Sequence, residues 1–499
     1  MAKHSPARAN WPLFEGPKVI KRGKAWDSYR LANRLRWLVA TDCASIYEFS
    51  LNHIFPLKGA CLVTYCVFWH LKLSAYGIKT HIVAFGSGID KYIPEQYRNN
   101  PDIQSRSLIV SELDMISDYE LIVRKLITGH GWEEYEKTGK NGGQPSICGQ
   151  PLPKGLQDGD MLPYTMFTPT TKVDKGHDTN VPADPVRLKY PSAVFRVLQA
   201  FDIAFNYAWE RNVVLADDKK ECDKEGNIAD ETFTIDSSRW TPKIAWLKSR
   251  EPATGRKMSS GFDKQYLRNK GIEELGINKL DPDKPADIAK VHAWKVPDEA
   301  ATHFIQGGKY LFWLLSDMNI NRFRRGPMGI SLPPDPPKNV LLVCGSETDF
   351  PVVKSVCEGV RPYVTVDITS CHRNPNELVE LVKSPRFLSY DLVAGVGSEQ
   401  LGLPGDMDAW AHYFCTQDPT RREVPVAGVA LGSGESLLAA RMAIKRVPGQ
   451  PLIMKELEGE PYVGPEGLRE LLLRITNGEL PPPQIRKERE AKPGFWQNF

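Results

Sequence analysis

Thirteen residues, Gly326 to Lys338, constrain what this chain can fold into more than any other stretch. They read Gly-Pro-Met-Gly-Ile-Ser-Leu-Pro-Pro-Asp-Pro-Pro-Lys and contain five prolines. Proline lacks the backbone N–H that helices and ladders use, and its ring fixes φ. The segment is therefore expected to run as an extended linker through which no single core can be built. It divides the 499 residues into a first domain over 1–325, the linker at 326–338, a smaller domain over 339–480 and a charged, proline-bearing tail at 481–499. There is ample chain for real cores without a disulfide or metal staple.

Behind the linker, apolar runs alternate with helical patterns. Residues 339–344, 363–368, 390–394 and 424–431 read as strands, and 350–358, 376–383 and 436–444 as helices. This alternation predicts an α/β domain with a parallel, doubly wound sheet. Ligands of such sheets sit beyond the carboxyl ends of the strands, where Gly345-Ser-Glu-Thr-Asp and Gly432-Ser-Gly-Glu lie. The first 325 residues are less regular. Short β-rich segments at 18–29, 35–41 and 80–84 precede a helix over 193–211, a strand at 213–216, a hairpin through 223–234 and a helix over 297–315. That order reads as α+β with an early sheet.

Charge and cysteine usage exclude several function classes. With 64 basic and 61 acidic residues the net charge is +3, which makes no electrostatic case for a nucleic-acid or membrane partner. The nine cysteines are odd in number, irregularly spaced and without a C-x-x-C pair, as expected of reduced thiols in a cytoplasmic protein. Structural zinc is not expected. No run approaches the roughly 20 apolar residues of a membrane helix, and no secretory signal is read at the start.

Four polar constellations could carry chemistry. Lys21-Arg-Gly-Lys-Ala-Trp-Asp, on a β-turn-β, could lay backbone N–H groups and ammoniums against phosphates, or be a solvated turn. Glu221, Asp230 and Glu231 lie across the suspected hairpin and could offer magnesium its hard oxygens, or form a solvated acidic face. Asp236-Ser-Ser-Arg suits a carboxylate or phosphate, or an ordinary N-cap. Phe167-Thr-Pro-Thr-Thr-Lys-Val-Asp-Lys-Gly-His-Asp could hold anions, or be a polar surface loop.

Taken in order, these segments resemble the SAICAR synthetase family over roughly residues 18–270. The likeness adds Leu38-Val-Ala-Thr-Asp, Lys58-Gly-Ala, Ile122-Val-Arg, Thr128-Gly-His-Gly-Trp-Glu-Glu-Tyr, Cys148-Gly-Gln-Pro-Leu-Pro, Leu215-Ala-Asp and Asp263-Lys-Gln with Arg268. The resemblance implies an ATP-grasp-like α+β domain. It also implies an ATP- and Mg2+-dependent ligase that activates the carboxylate of carboxy-aminoimidazole ribotide and joins it to aspartate. Carried over by motif, Gly23, Lys24 and Lys58 would face the nucleotide, and Glu221 and Asp230 would hold magnesium. Asp236, Arg239 and Lys219 would form the catalytic group. Arg124, His130, His177, Asp178, Ser238 and Arg239 would surround the substrate. The wording departs from the family at Trp26 and Cys43, where basic residues are usual, and at His130, where serine is usual. A different amine or ribotide therefore stays open as the substrate.

The second domain resembles the aminoimidazole ribotide carboxylase or mutase family. Gly345-Ser-Glu-Thr-Asp-Phe-Pro, Ser370-Cys-His-Arg-Asn-Pro and Val393-Ala-Gly-Val-Gly followed by Leu403-Pro-Gly carry the likeness. It implies Ser346, Thr348, Ser370 and Arg373 on the ribotide phosphate, Asp349 and His372 beside the imidazole, and a homo-oligomer built through this domain. The family's third loop ends in a histidine that moves a proton. Here the loop reads Gly395-Val-Gly-Ser-Glu-Gln-Leu, so a non-catalytic scaffold is the alternative to a second activity.

Overall fold

The computed structural model describes residues 4–172, 179–251, 261–360, 362–399, 401–418, 421–445, 452–457 and 459–484. They form two compact units, Met1–Pro334 and Asp335–Phe499. The division falls inside the proline-rich segment, but the first half of that segment is not extended linker. Met328 and Ile330 are buried, and the Met328 carbonyl accepts from the Ser87 N–H at 3.0 Å. Prolines forbid a regular ladder, yet this bond, the Met328 and Ile330 N–H groups on the Phe323 and Arg324 carbonyls, and two buried side chains seat the strap. Gly86 permits the approach, since a Cβ there would lie 1.9 Å from the Met328 carbonyl oxygen.

The first unit contains two larger antiparallel sheets. The early one comprises β1 (Val19–Arg22), β2 (Trp26–Arg30), β3 (Leu35–Ala40), β4 (Ile82–Phe85) and β5 (Ser107–Ser111), in the order β1-β2-β3-β5-β4. Tyr29 and Trp37 face each other across β2 and β3 and anchor its core. The second sheet comprises β6 (Tyr119–Leu126), β7 (Met161–Phe167), β8 (Val213–Cys222), β9 (Ile228–Ala229) and β10 (Ser238–Pro242). Its path is β7-β6-β8-β9, with β10 also paired to β8 and Thr170–Thr171 paired to β6.

Helix α1 (Lys58–Ser74) is buried along most of its length. Helix α2 (His130–Gly139) follows a glycine-rich turn. Helix α3 (Pro191–Trp209) opens on proline at N1, where no N–H is needed. It buries Ala193, Val197, Ala200, Phe201, Ala204 and Ala208 at helical spacing against the second sheet. Helices α4 (Gln265–Leu275) and α5 (Asp298–Ser316) pack together.

Strand β8 runs six residues beyond the apolar stretch that announces it. Asp218, Lys220 and Cys222 alternate onto a buried face. Lys220 Nζ lies 2.6 Å from Asp218 Oδ2 and 3.4 Å from the centroid of the Phe233 ring. Pairing and hydrogen bonding are what allow such charges to be buried.

The second unit is a fully parallel five-stranded sheet of β11 (Asn339–Cys344), β12 (Tyr363–Ile368), β13 (Leu392–Gly397), β14 (Val426–Ala430) and β15 (Tyr462–Val463). Its order is β12-β11-β13-β14-β15. Its longer helices are α6 (Phe350–Cys357), α7 (Pro375–Lys383), α8 (Leu403–Gln417), α9 (Gly434–Lys445) and α10 (Gly464–Asn477). Leu341 and Val343 belong to one core with residues of α7, α8 and α9. Val340, Leu342 and Cys344 belong to another with residues of α6 and α10. Both faces of the sheet are thus covered, as parallel sheets require. Strand β13 lies later than its apolar run suggests, because Gly395 and Gly397 continue it. A Cβ on Gly395 would sit 2.8 Å from Pro404, so glycine lets α8 pass close over the strand. Among the described residues no helix is long and apolar enough to cross a membrane.

Candidate functional site

Antiparallel register builds a charged row in the first unit. Asp217 on β8 lies opposite Arg124 on β6 and opposite Arg239 on β10. The three side chains form one row across adjacent strands, the arrangement in which cross-strand pairs interact. Arg239 Nη2 is 2.9 Å from Asp217 Oδ2, and Arg124 Nη1 is 3.7 Å from the same oxygen. The Thr128-Gly-His-Gly turn closes over the row. Arg124 donates to the Thr128 carbonyl at 3.0 Å and to Thr168 Oγ1 at 2.8 Å, and Arg239 donates to Thr128 Oγ1 at 3.2 Å.

Glycine is required twice in this turn. A Cβ on Gly129, at φ +56°, would lie 2.9 Å from Arg239 Nη2, and one on Gly131 would lie 2.7 Å from Arg124 Nη1. Burial lowers the Arg124 guanidinium despite Asp217. Burial also lowers that of Arg268, on α4, and Arg239 acts on it in the same direction. Nearby Asp263 is committed to the backbone N–H groups of Trp240 and Gln265, at 2.8 and 2.6 Å. Two guanidiniums around one carboxylate leave a positive excess suited to an anionic carboxylate or phosphate.

The second cluster centres on Lys58, the first residue of α1, which follows Leu57 in the left-handed region. Lys58 is fully buried and its Nζ lies 2.7 Å from Asp236 Oδ2. Burial pushes the Asp236 carboxyl up, but Lys58 and Lys264 outweigh it and hold the group below the usual carboxylate range. Glu231 stands beside this pair. Its Oε1 accepts from the Trp26 indole N–H at 2.7 Å, and its Oε2 accepts from the Thr234 hydroxyl.

Burial, then the charges on Asp236 and Asp230, push Glu231 up from 4.5 to about 7. A carboxyl raised in this way holds more protons folded than unfolded, so stability falls as pH climbs from about 4.5 to about 7. Glu231→Gln, which mimics the protonated form, is expected to unfold at the wild-type temperature at pH 5 and at a higher one at pH 8. A constant gap between the two melting curves across that range would refute the assignment.

Glu221, the penultimate residue of β8, lies opposite Ala229 of β9, the residue before Asp230. Lys172 Nζ contacts Glu221 Oε1 at 2.8 Å. Lys219, on the same face of β8, reaches Glu120 Oε1 at 2.6 Å. The protein around Asp230 and the Glu221 charge both raise the Asp230 carboxyl. Solvent reaches this residue, so the neighbouring charge is the better-supported cause. No three described side chains form a ready metal cage. Glu221 and Asp230 could offer hard oxygens to a divalent cation whose other ligands come from outside the chain.

The remaining expected residues are placed as follows. Gly23 closes a tight turn with its N–H on the Trp26 carbonyl at 2.7 Å, and Lys24 pairs with Glu48. His130 opens α2, exposed, with Glu133 3.0 Å away. Ser238 donates its hydroxyl to buried Asp218. His177 and Asp178 lie outside the described residues. Glu231, offered from sequence as a third carboxylate for magnesium, instead meets Trp26 and Thr234. Lys264 and Arg268 were given no site role from sequence, although both belong to the segment Asp263-Lys-Gln with Arg268.

In the second unit, a cleft of about 480 Å³ opens at the carboxyl ends of β11, β12 and β13. Ser346, Thr348, Asp349, Ser370, His372 and Arg373 all line it. Arg373 Nη2 donates to the Gly345 carbonyl at 3.1 Å, and its N–H donates to Ser370 Oγ at 3.2 Å. Ser398 donates to the buried Asp349 carboxylate. His372 Nδ1 is 3.3 Å from Cys371 Sγ, a thiol that burial and Asp406 push up to about 11. Leu401 occupies the third loop's terminal position, buried against Gly397. The cleft offers hydroxyls and a guanidinium for an anion, with an aliphatic side chain where a proton carrier was expected.

A family model described as SAICAR synthetase matches residues 19–280. A phosphoribosylaminoimidazole-succinocarboxamide synthase of Maridesulfovibrio salexigens is 31% identical over 313 residues, covering 61% of this chain and 95% of that one. A solved structure titled SAICAR-synthase from Saccharomyces cerevisiae complexed SAICAR is similar at a TM-score of 0.50 and 25% identity, over 62% of this chain and 97% of that chain. For the second unit, a crystal structure of Treponema denticola PurE overlaps 28% of this chain and 78% of its own at a TM-score of 0.20 and 17% identity. At that level no shared function is inferred.

Proposed function

The chain belongs to the SAICAR synthetase family, and from that membership we propose that it joins aspartate to carboxy-aminoimidazole ribotide in an ATP-dependent amide ligation of purine synthesis. The observation that carries this reading is the row Arg124–Asp217–Arg239, whose unbalanced positive charge suits the phosphate or carboxylate of a ribotide. Bound ATP with magnesium would supply the phosphoryl group that activates the carboxylate. Lys58, Lys24 and Gly23 would face the nucleotide, and Glu221 and Asp230 would hold the cation. Asp236 orients Lys58, and Lys219 sits between Glu120 and the acidic hairpin. Work of this kind rests on positioning and charge neutralisation more than on a covalent nucleophile. An ATP-grasp-like description of the first unit, and a homo-oligomer assembled through the second, belong to the same reading.

The test is to incubate the protein with ATP, magnesium, carboxy-aminoimidazole ribotide and aspartate and to follow products by mass spectrometry. The succinocarboxamide is the expected product. ADP formed only with another amine would move the substrate, a reading favoured by the Trp26 indole standing on Glu231 where a basic side chain is usual. For the second unit we propose a carboxylase-like cleft that holds a ribotide without turning it over, because Leu401 replaces the proton carrier. Carboxylation of aminoimidazole ribotide that disappears in His372→Ala would overturn that.

A further inference from the structure

We propose that Arg8 is a positioning residue for the nucleotide-phosphate turn Gly23–Trp26, acting through the Gly23 carbonyl. This inference rests on the nucleotide role given to that turn above. Arg8 lies on a one-turn helix, Pro6–Ala9, ahead of the first strand, and its side chain is fully buried. The short helix is fastened on two sides. Ser5 Oγ donates to the Leu51 carbonyl at 2.8 Å, and the Ala7 N–H donates to Asn52 Oδ1 at 3.0 Å. From β1, Arg22 Nη2 donates to the Arg8 and Trp11 carbonyls at 2.9 and 2.6 Å.

From this seat the Arg8 fork does two things. Its Nη2 pairs with buried Asp27 on β2, and its Nε donates to the Gly23 carbonyl at 2.9 Å. Two residues on, Thr41 takes the Ala25 carbonyl with its N–H at 2.8 Å and its hydroxyl at 2.9 Å. The turn is thus held inward by its carbonyl oxygens. In a trans peptide the carbonyl and the following N–H point in opposite directions. Drawing the Gly23 carbonyl onto Arg8 therefore turns the Lys24 N–H away from Arg8, available to an anion that the Lys24 ammonium would also meet.

Two further observations fit this role. Arg8 Nη1 is buried without a hydrogen-bond partner, so the guanidinium is not fully spent on Asp27 and Gly23. The Arg8 charge also reaches Cys43, one of the positions where the resemblance lost a basic residue. Burial raises the Cys43 thiol, and against that act the Thr41 hydrogen bond and then the Arg8 and Lys58 cations.

The test compares full-length wild type, Arg8→Lys and Asp27→Asn for direct binding of MgATP and of carboxy-aminoimidazole ribotide by calorimetry, with melting temperatures alongside. Lysine keeps the charge on Asp27 but lacks the fork that also reaches Gly23. Arg8→Lys is expected to weaken MgATP about tenfold and leave ribotide affinity unchanged. Asp27→Asn loses the ion pair but keeps the Gly23 contact, and is expected to lower the melting temperature with MgATP affinity intact. MgATP affinity that tracks melting temperature in both variants, or stays at the wild-type value in Arg8→Lys, overturns the proposal. Wild-type protein that fails to bind MgATP would instead overturn the ligase reading on which it rests.

Discussion

Lys58→Met is expected to lower unfolding stability by about 3–5 kcal/mol and to bring succinocarboxamide formation to background. The Lys58 ammonium and the Asp236 carboxylate are both buried and 2.7 Å apart. Removing the cation leaves a charge in low dielectric with the more weakly acting Lys264 and Arg268 to answer it. A double variant separates the two effects. Lys58→Met with Asp236→Asn replaces the ion pair by two neutral groups, and such replacements are often near neutral for stability. The double variant is therefore expected to recover most of the urea midpoint at an unchanged denaturant slope. It should recover no turnover, because the proposed nucleotide contact needs the ammonium. Turnover returning together with stability would make Lys58 a structural residue and sink its place at the nucleotide.

The same pair illustrates how far the sequence could be read. Family wording assigned Lys58 and Asp236 to separate roles, 178 positions apart, and gave no hint that they touch. Periodicity reached the parallel sheet of the second unit, because fully buried strands such as Asn339–Cys344 are unbroken apolar runs between helices. It stopped short at β8, where Asp217-Asp-Lys-Lys-Glu looks like a charged turn. Only the fold brings Asp218 onto Lys220 and Asp217 between two arginines. It stopped short again at Gly395 and Gly397, where glycine reads as loop although its missing Cβ serves helix packing. Arg8 left no local signal, since a basic residue near a chain start usually meets solvent. Its partners at 23 and 27 become visible only when β1 and β2 pair.

The arginine row leads to the other large effect. Arg239→Met is expected to weaken carboxy-aminoimidazole ribotide by about 2–5 kcal/mol, roughly 30- to 5,000-fold, with little loss of fold. Its side chain is 23% exposed, and Asp217 keeps Arg124 at 3.7 Å as a second cation, so no buried carboxylate is stranded. Arg124→Met should behave differently. That guanidinium is 3% exposed and holds the Thr128 carbonyl and Thr168 hydroxyl, so losing it disturbs the turn over the site as well as the charge. Arg239→Lys should fall between wild type and methionine, since an ammonium supplies charge but not a bidentate fork. Calorimetric titration of ribotide into each variant, at low and at high salt, checks the argument. The electrostatic share of the wild-type affinity should shrink as salt rises, and Arg239→Met should show a shallower salt dependence. Ribotide binding within threefold of wild type in Arg239→Met would mean that the excess charge of the row answers some other anion.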